Sequence, residues 1–308
     1  MIKFALFAAL VTVAVARRSP HADYIEELVK QNEGRYSTDV VEDALLDVPG
    51  LIRKYGYPVE VHTVVTSDNY VLEAHRIPHG RDQNNEPGVR PVVFLFHGLF
   101  SSSAEFLVLG PGTALAYLLA EAGFDVWLGN ARGNYYSRNN LVLDPDDLRN
   151  PEFWKFGWEQ IGNIDLPTLL DYVLAETGQS QLHYIGHSQG CTSLLVLNSL
   201  QPSYNEKVIS FHALAPAAFF NNNELLAFKL GAHFSAPLEV RQVNTTLTPV
   251  ILGHAPAGSS ARQLSHFGQS ITSKDFRRFN YLPIENIELY NRPVPPSYDL
   301  SQVDLNKI

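Results

Sequence analysis

The clearest chemical signal is the pentapeptide GHSQG at 186–190, which matches the G-x-S-x-G pattern of serine nucleophiles. The apolar run 181–185 precedes it, and a helical pattern over 191–200 follows it. A serine on a sharp turn between a strand and a helix is held in a strained conformation that exposes its hydroxyl. Glycines on either side leave room for neighbouring backbone. This context favours nucleophilic catalysis by Ser188 over an ordinary Gly- and Ser-rich turn.

Acyl transfer at a serine also needs backbone N–H donors for the oxyanion of the tetrahedral intermediate. The N–H of Gln189, directly after the nucleophile, is one expected donor. The second should come from the loop after an earlier strand, and His97-Gly98 ends the apolar run 92–96. We therefore assign the second donor to the Leu99 N–H, with a plain strand-terminating turn as the alternative.

Three other reactive side chains have a structural interpretation. His187 adjoins the serine, but neighbours on a sharp turn project differently, so packing or hydrogen bonding is its expected role. His97 precedes the nucleophile, which is the wrong chain order for the histidine of this kind of site. Cys191 lies on the following helix among uncharged residues and is expected to be a buried small hydrophobe. As the single cysteine, it excludes an intrachain disulfide and a cysteine-based zinc site, and no metal or cofactor is expected.

Alternating strands and helices must position these groups. The first two strands form an antiparallel hairpin, and the later ones are short apolar runs suited to burial on both faces. This order predicts an α/β fold with a mostly parallel sheet whose strand ends, and the site, share one edge. The helix over 165–177 is expected to open at Asp165, with Pro167 in its first turn. The predicted strands are 59–66, 70–77, 92–96, 124–128, 181–185 and 208–214, and the other helices are 113–122 and 189–200.

Composition and charge exclude several classes of protein. The 308 residues are 45% hydrophobic and 18% charged, which is ordinary for a globular chain. The net charge of -9 disfavours a nucleic-acid partner. Residues 4–16 carry no charge and are shorter than the ~20 residues that cross a bilayer. Residues 1–16 therefore predict a cleaved secretory signal rather than a membrane anchor, and Asn244 begins a glycosylation acceptor sequence.

Several longer stretches match one known pattern: YGYP at 55–58, TSDNYVL at 66–72, RIP at 76–78, HGL at 97–99, DVWLGNARGN at 125–134, DLP at 165–167 and LGHAPAG at 252–258. With the pentapeptide, they make the chain resemble the acid lipase family, meaning gastric and lysosomal lipases and their insect relatives. The resemblance implies an α/β-hydrolase fold and a secreted or lysosomal serine ester hydrolase. Neutral lipids (acylglycerols or sterol esters) at a lipid–water interface would be its substrates. Ser188 would be the nucleophile, with Leu99 and Gln189 forming the oxyanion hole.

The chain departs from the family pattern in its lid. In the family a long helical cap follows the strand that ends near 214, and here only 217–246 occupies that interval. We therefore expect a signal peptide over 1–16, a core over 17–220, a reduced cap over 221–285 and a return to the core over 286–308.

The second departure concerns the acid and the histidine of the catalytic triad. In this fold each stands on a loop that follows a late buried strand. None of the later histidines and acids has that context: His212, His233, His254, His266, Asp275, Glu285, Glu288, Asp299 and Asp304. The resemblance places the family's acid and histidine, with the last strands, beyond Ile308. Weak activity is therefore expected. A non-catalytic lipid-binding protein with a lipase-like fold and an esterase of soluble substrates remain the alternatives.

Overall fold

A computed structural model describes residues 18–19, 21–147, 149–220 and 245–307, so the expected signal over 1–16 and the first part of the expected cap, 221–244 with Asn244, lie outside it. Three helices come before the sheet: α1 (Ala22–Gln31), α2 (Thr38–Leu45) and α3 (Val48–Lys54). The side chain of Ser37 caps α2 by accepting the Val40 N–H. Asp47 caps α3 by accepting the Gly50 N–H at 2.8 Å. Such caps satisfy backbone donors that have no partner within the helix.

Six strands form one mixed sheet in the order β1-β2-β4-β3-β5-β6. The strands β1 and β2 pair as an antiparallel hairpin, and β2 pairs with β4 in the same sense. The pairs β4–β3, β3–β5 and β5–β6 are parallel. The predicted α/β fold, with a leading hairpin and a mostly parallel sheet, is confirmed. The strands are β1 (Glu60–Val65), β2 (Val71–Ile77), β3 (Val92–Phe96), β4 (Asp125–Gly129), β5 (Leu182–His187) and β6 (Val208–Leu214).

Helices cover both faces of the sheet at its central strands. The strands β3 and β4 are buried along their whole length. Phe94, Trp127 and Tyr184 pack on one face, and their cluster includes α6 and α7. Val93 and Leu95 point to the other face, where α3 and α4 lie. Because β3, β4 and β5 are parallel, the loops at their carboxyl ends meet at one edge. The remaining helices are α4 (Leu115–Glu121), α5 (Trp158–Gln160), α6 (Leu166–Thr177), α7 (Gln189–Leu200), α8 (Thr248–His254), α9 (Ala261–Ser273) and α10 (Pro283–Tyr290).

The described residues after 244 add helices to the fold and no strand to the sheet. Helix α8 packs on α1 and α2 so closely that a Cβ on Gly253 would lie 2.3 Å from the Ala44 carbonyl oxygen. Further along, the Arg278 guanidinium binds the carboxylate of Glu159, within α5. No helix in the described ranges is long and apolar enough to span a bilayer.

The buried side chain of Arg132 joins three distant parts of the core. It binds Asp165 (Nε to Oδ1, 2.7 Å) and Asp68 (NH1 to Oδ2, 2.6 Å), and it stacks on the Tyr70 ring. This pairing corrects the expectation that Asp165 opens a helix. The chain is already helical from Trp158, through a π-helical segment over 161–165, and the Asp165 side chain caps nothing. Its carboxylate instead neutralises the Arg132 guanidinium.

Replacing Arg132 should leave the buried Asp165 carboxylate without a counter-charge. We expect Arg132→Met to lower the free energy of unfolding by ~3–5 kcal/mol, measured by urea denaturation. Arg138→Met is the matched control, because Arg138 pairs with Asp146 at the exposed surface and should change stability by at most ~1 kcal/mol. Equal effects of the two substitutions would contradict this role of Arg132.

Candidate functional site

Ser188 occupies the turn between β5 and α7 with an uncommon backbone conformation. Its φ is 50° and its ψ is -111°, a combination that costs energy in any residue other than glycine. The Ser188 N–H donates to the Leu214 carbonyl oxygen at 2.9 Å, and the Ser188 carbonyl accepts the Cys191 N–H at 3.1 Å. Neighbouring backbone on both sides therefore maintains the strained turn. The half-buried serine lies at the carboxyl edge of the sheet, as the sequence predicted.

The two glycines of the pentapeptide are required by close backbone contacts. A Cβ on Gly190 would lie 2.1 Å from the Phe96 carbonyl oxygen, at the end of β3. A Cβ on Gly186 would lie 2.7 Å from the Cys191 backbone nitrogen. Neither distance is possible for a real side chain, so both positions exclude every other residue while the turn keeps its shape.

The loop after β3 lies directly against Ser188. A Cβ on Gly98 would lie 3.2 Å from the Ser188 Cβ. Within the described ranges, no hydrogen bond uses the backbone N–H of Leu99 or of Gln189. The two groups assigned to the oxyanion hole thus belong to segments that meet at Ser188, and their role stays a prediction.

His97 is a buried positioning residue. Its Nε2 accepts the Ala131 N–H at 3.1 Å, so we assign the ring proton to Nδ1, which donates to the Gly98 carbonyl oxygen at 2.8 Å. Burial lowers the pKa of His97, which keeps the ring neutral. Asn134 Nδ2 lies 3.1 Å from the same Nε2. These contacts agree with the prediction, made from chain order, that His97 is not the catalytic histidine.

A segment far along the chain also contacts this loop. The Ala257 N–H donates to the Phe100 carbonyl oxygen at 2.6 Å, and the Tyr135 N–H donates to the Ala257 carbonyl oxygen at 2.7 Å. The stretch over 252–258 thus connects the loops after β3 and β4. This contact gives the family-like LGHAPAG sequence a structural reason.

His187 contacts Glu105, a residue that sequence reasoning missed. His187 Nδ1 lies 2.6 Å from Glu105 Oε1, and the Gly98 N–H donates to Glu105 Oε2 at 3.1 Å. The signal available in the sequence was an acid close behind a buried strand, in a loop at the same sheet edge as Ser188. The expectation that His187 packs or bonds, rather than acting on the serine, agrees with this contact.

The remaining described histidines after Ser188 are occupied elsewhere. His212 lies on β6, where its Nε2 contacts the Ser210 hydroxyl at 2.9 Å. His254 Nε2 bonds the Asp43 carbonyl oxygen at 3.1 Å, and His266 Nε2 bonds the Arg277 carbonyl oxygen at 2.9 Å. Burial lowers the pKa of both, in His266 to about 3. His233 lies outside the described residues.

Two late acids also make their contacts away from Ser188. Asp275 accepts the Ser297 hydroxyl at 2.7 Å, and Asp299 accepts the Ser301 N–H at 3.1 Å.

Burial raises the pKa of the Cys191 thiol to about 12, which matches its expected inert role. Across the described ranges, no three His, Cys, Asp or Glu side chains are grouped closely enough to hold a metal ion.

The contact at Gly190 gives a direct test of the turn. Gly190→Ala should reduce the free energy of unfolding by ~1–3 kcal/mol or more, because the new methyl group would overlap the Phe96 carbonyl. Gly268→Ala is the matched control. It lies within α9 with nothing within 4 Å of its added Cβ, so it should be neutral or stabilise by up to ~1 kcal/mol. Thermal and urea unfolding of both variants measure the difference, and a harmless Gly190→Ala would contradict the close approach.

Comparison with known proteins matches most of the chain to lipases and to the α/β-hydrolase fold. Residues 48–110 match the family model of a partial α/β-hydrolase lipase region, and 91–236 match that of the α/β hydrolase fold. Lipase 1 of Drosophila melanogaster is 42% identical over 86% of this chain, and the match spans 66% of the relative. Gastric triacylglycerol lipase of Bos taurus is 35% identical over 85% of this chain and 77% of its own length. Gastric triacylglycerol lipase of Homo sapiens is 33% identical over 85% of this chain and 76% of its own length.

These matches are strong enough to decide the family. A relative above 30% identity is aligned along more than two thirds of its own length, and the lipase-region model covers the segment that contains the Gly98 loop. The mixed sheet and the strand–serine–helix turn agree with both. The chain therefore belongs to the acid lipase family of α/β-hydrolase-fold proteins.

Proposed function

We propose that this chain is a secreted lipase-family hydrolase of neutral lipid esters, with Ser188 as its nucleophile. The observation that carries the proposal is the strained Ser188 turn, with the Gly98 loop packed against it. In the proposed reaction the Ser188 hydroxyl attacks the ester carbonyl and expels the alcohol, leaving an acyl-enzyme. Water then attacks the acyl group, releases a fatty acid and returns the proton to Ser188.

Two backbone N–H groups are proposed to stabilise the oxyanion. The Gln189 N–H stands at the first turn of α7, where the helix dipole also favours negative charge. The Leu99 N–H belongs to the peptide whose carbonyl accepts from His97. Each such donor typically contributes ~3–4 kcal/mol to transition-state stabilisation.

In the described residues, no side chain is placed to act as the base for Ser188. In the described part of the chain, no side chain hydrogen-bonds the Ser188 hydroxyl, and the later histidines bind backbone or Ser210. The Nδ1 atom of His187 forms an ion-pair contact with the Glu105 carboxylate. We therefore propose that the described residues alone support little ester hydrolysis. This observation also favours the second candidate, a non-catalytic lipid-binding protein with a lipase-like fold.

The proposed location and substrates rest on the sequence and on the relatives. The basic and apolar residues of 1–16, with Asn244, support secretion or delivery to a lysosome and glycosylation. Lipid esters at a lipid–water interface are proposed because relatives 33–35% identical to this chain are named as gastric triacylglycerol lipases. The division into a core over 17–220, a reduced cap over 221–285 and a return over 286–308 is likewise a proposal.

A fluorophosphonate probe tests the nucleophile. We expect purified protein to be labelled slowly, because no base among the described residues activates Ser188, and we expect Ser188→Ala to abolish labelling. Ser203→Ala, at an exposed serine outside the sheet, is the matched control and should label like wild type. Mass spectrometry locates the adduct. Label retained in Ser188→Ala would exclude this nucleophile, and an unlabelled wild type would favour the lipid-binding protein.

Turnover tests whether a base acts on Ser188. If none does, as in the described part of the chain, kcat should lie ~10⁶ below that of an enzyme with an intact triad, leaving a residual ~10³–10⁴ over water. Hydrolysis of an emulsified triacylglycerol and of a dispersed short-chain ester should both be slow. A rate close to that of a gastric lipase would show that a base acts on Ser188 after all. A rate confined to the dispersed substrate would instead indicate an esterase of soluble substrates.

A further inference from the structure

We propose that Glu105 is a positioning residue that fixes the Gly98 loop against the Ser188 turn, accepting a hydrogen bond from the loop through one carboxylate oxygen and forming an ion pair with His187 through the other. This inference rests on the proposed function, since it assigns Glu105 to the reaction of Ser188. Oε2 accepts the Gly98 N–H at 3.1 Å, and Oε1 lies 2.6 Å from His187 Nδ1. Gly98 follows β3 and His187 ends β5, so one side chain connects the segment proposed to bind the oxyanion with the segment that carries Ser188.

Glu105 is itself well fixed. It lies on a short 3₁₀ helix, Ser103–Phe106, whose first turn is capped by Ser102. The Ser103 N–H donates to Asn130 Oδ1 at 3.0 Å, and the Ser103 hydroxyl contacts His75 Nδ1 at 2.8 Å. The Glu105 side chain is only 20% exposed. Its carboxylate thus meets Gly98 and His187 with little freedom to move away.

The Gly98–Leu99 peptide is fixed from the opposite side as well. His97 Nδ1 donates to the Gly98 carbonyl oxygen at 2.8 Å, and this carbonyl shares a rigid peptide plane with the Leu99 N–H. Glu105 binds the preceding N–H, that of Gly98 itself. With both sides of Gly98 bonded, the direction of the Leu99 N–H is set before any substrate binds, which is the condition for effective oxyanion stabilisation.

The charge of Glu105 requires His187 beside it. A lone carboxylate next to a developing oxyanion would oppose the reaction, whereas a protonated His187 neutralises it. Contact with Glu105 raises the pKa of His187 above its ordinary value of 6.5. Burial pushes the pKa of Glu105 upward, but the contacts with His187, His97 and the Ser101 hydroxyl together outweigh burial, and the pKa lies below its ordinary value of 4.5. Neutral His97 and the Ser101 hydroxyl face the same carboxylate, and the protonated Cys191 thiol lies on α7 nearby.

The sign of the pH dependence follows from these directions. The ion pair is complete from just above the lowered pKa of Glu105 up to the raised pKa of His187. As pH rises through the pKa of His187, the ring loses its charge and Glu105 keeps its own. The reactivity of Ser188 should therefore fall at that step, and the step should move to lower pH when Glu105 is made neutral, because His187 then loses its proton more easily.

An activity-free measurement tests the contacts. In NMR spectra, Glu105→Gln should lower the pKa of His187 and keep the Gly98 amide bonded, because the new amide oxygen still accepts. Glu105→Ala should shift the Gly98 amide resonance as well. Glu206→Gln, at an exposed acid near β6, is the control and should change neither. An unchanged His187 pKa in Glu105→Gln would overturn the proposal, and this nearly isosteric variant remains informative if Glu105→Ala does not fold.

Labelling kinetics test the link to Ser188. Glu105→Gln should slow fluorophosphonate labelling about tenfold, less than the ~10²–10³ expected when an oxyanion donor is lost outright. It should also shift the fall in rate to lower pH, in step with the lowered pKa of His187, whereas a merely structural role of Glu105 would not link the two. Wild-type rates at every pH in Glu105→Gln would overturn the positioning role. If wild type itself is not labelled, the proposed function fails, and the NMR titration still decides whether Glu105 connects the two segments.

Discussion

The close approach of the first turn of α7 to the end of β3 constrains everything around Ser188. The Gly190 Cα faces the Phe96 carbonyl at a distance that no side chain could occupy. With β3 and α7 this near, the chain can pass from β5 into α7 only through a sharp turn, and the residue at its apex takes a positive φ. The same approach brings the residues after Phe96 alongside Ser188. One steric condition therefore exposes the hydroxyl and also brings the second loop to it.

Around this contact the loops at the sheet edge are supported by side chains from several directions. Neutral His97 binds the Gly98 carbonyl, and Asn134 lies within bonding distance of the same imidazole. Ala257 bonds the Phe100 carbonyl from a segment more than 150 residues further along the chain. Because these contacts join groups that the fold holds in place, the loop geometry is set by the folded protein rather than by a ligand. Such preorganisation is what a site for a developing charge requires.

The sequence was sufficient for those parts of the fold that depend on local pattern. The hairpin, the buried strands and the turn at Ser188 follow from alternation, apolar runs and glycine placement, and each was found at its expected position. The pairing of Glu105 with His187 and that of Asp165 with Arg132 were missed. Both join residues far apart in sequence, and neither the acid nor its partner lies in a pattern that points to the other. Only the packing of the strands brings these charges together, so local sequence carries no record of the pairing.

Arg132 has a consequence for how the protein opens. Its guanidinium is bonded at once to the hairpin turn through Asp68 and to the beginning of α6 through Asp165, while its own backbone N–H also donates to Asp165 at 3.0 Å. Detaching the loop that carries Arg132 would leave the buried Asp165 without a counter-charge, and detaching the segment of either acid would break its charge-assisted hydrogen bonds to Arg132. The hairpin, the loop after β4 and the start of α6 therefore behave as one cooperative unit, and partial unfolding of this side of the sheet must proceed through all three together.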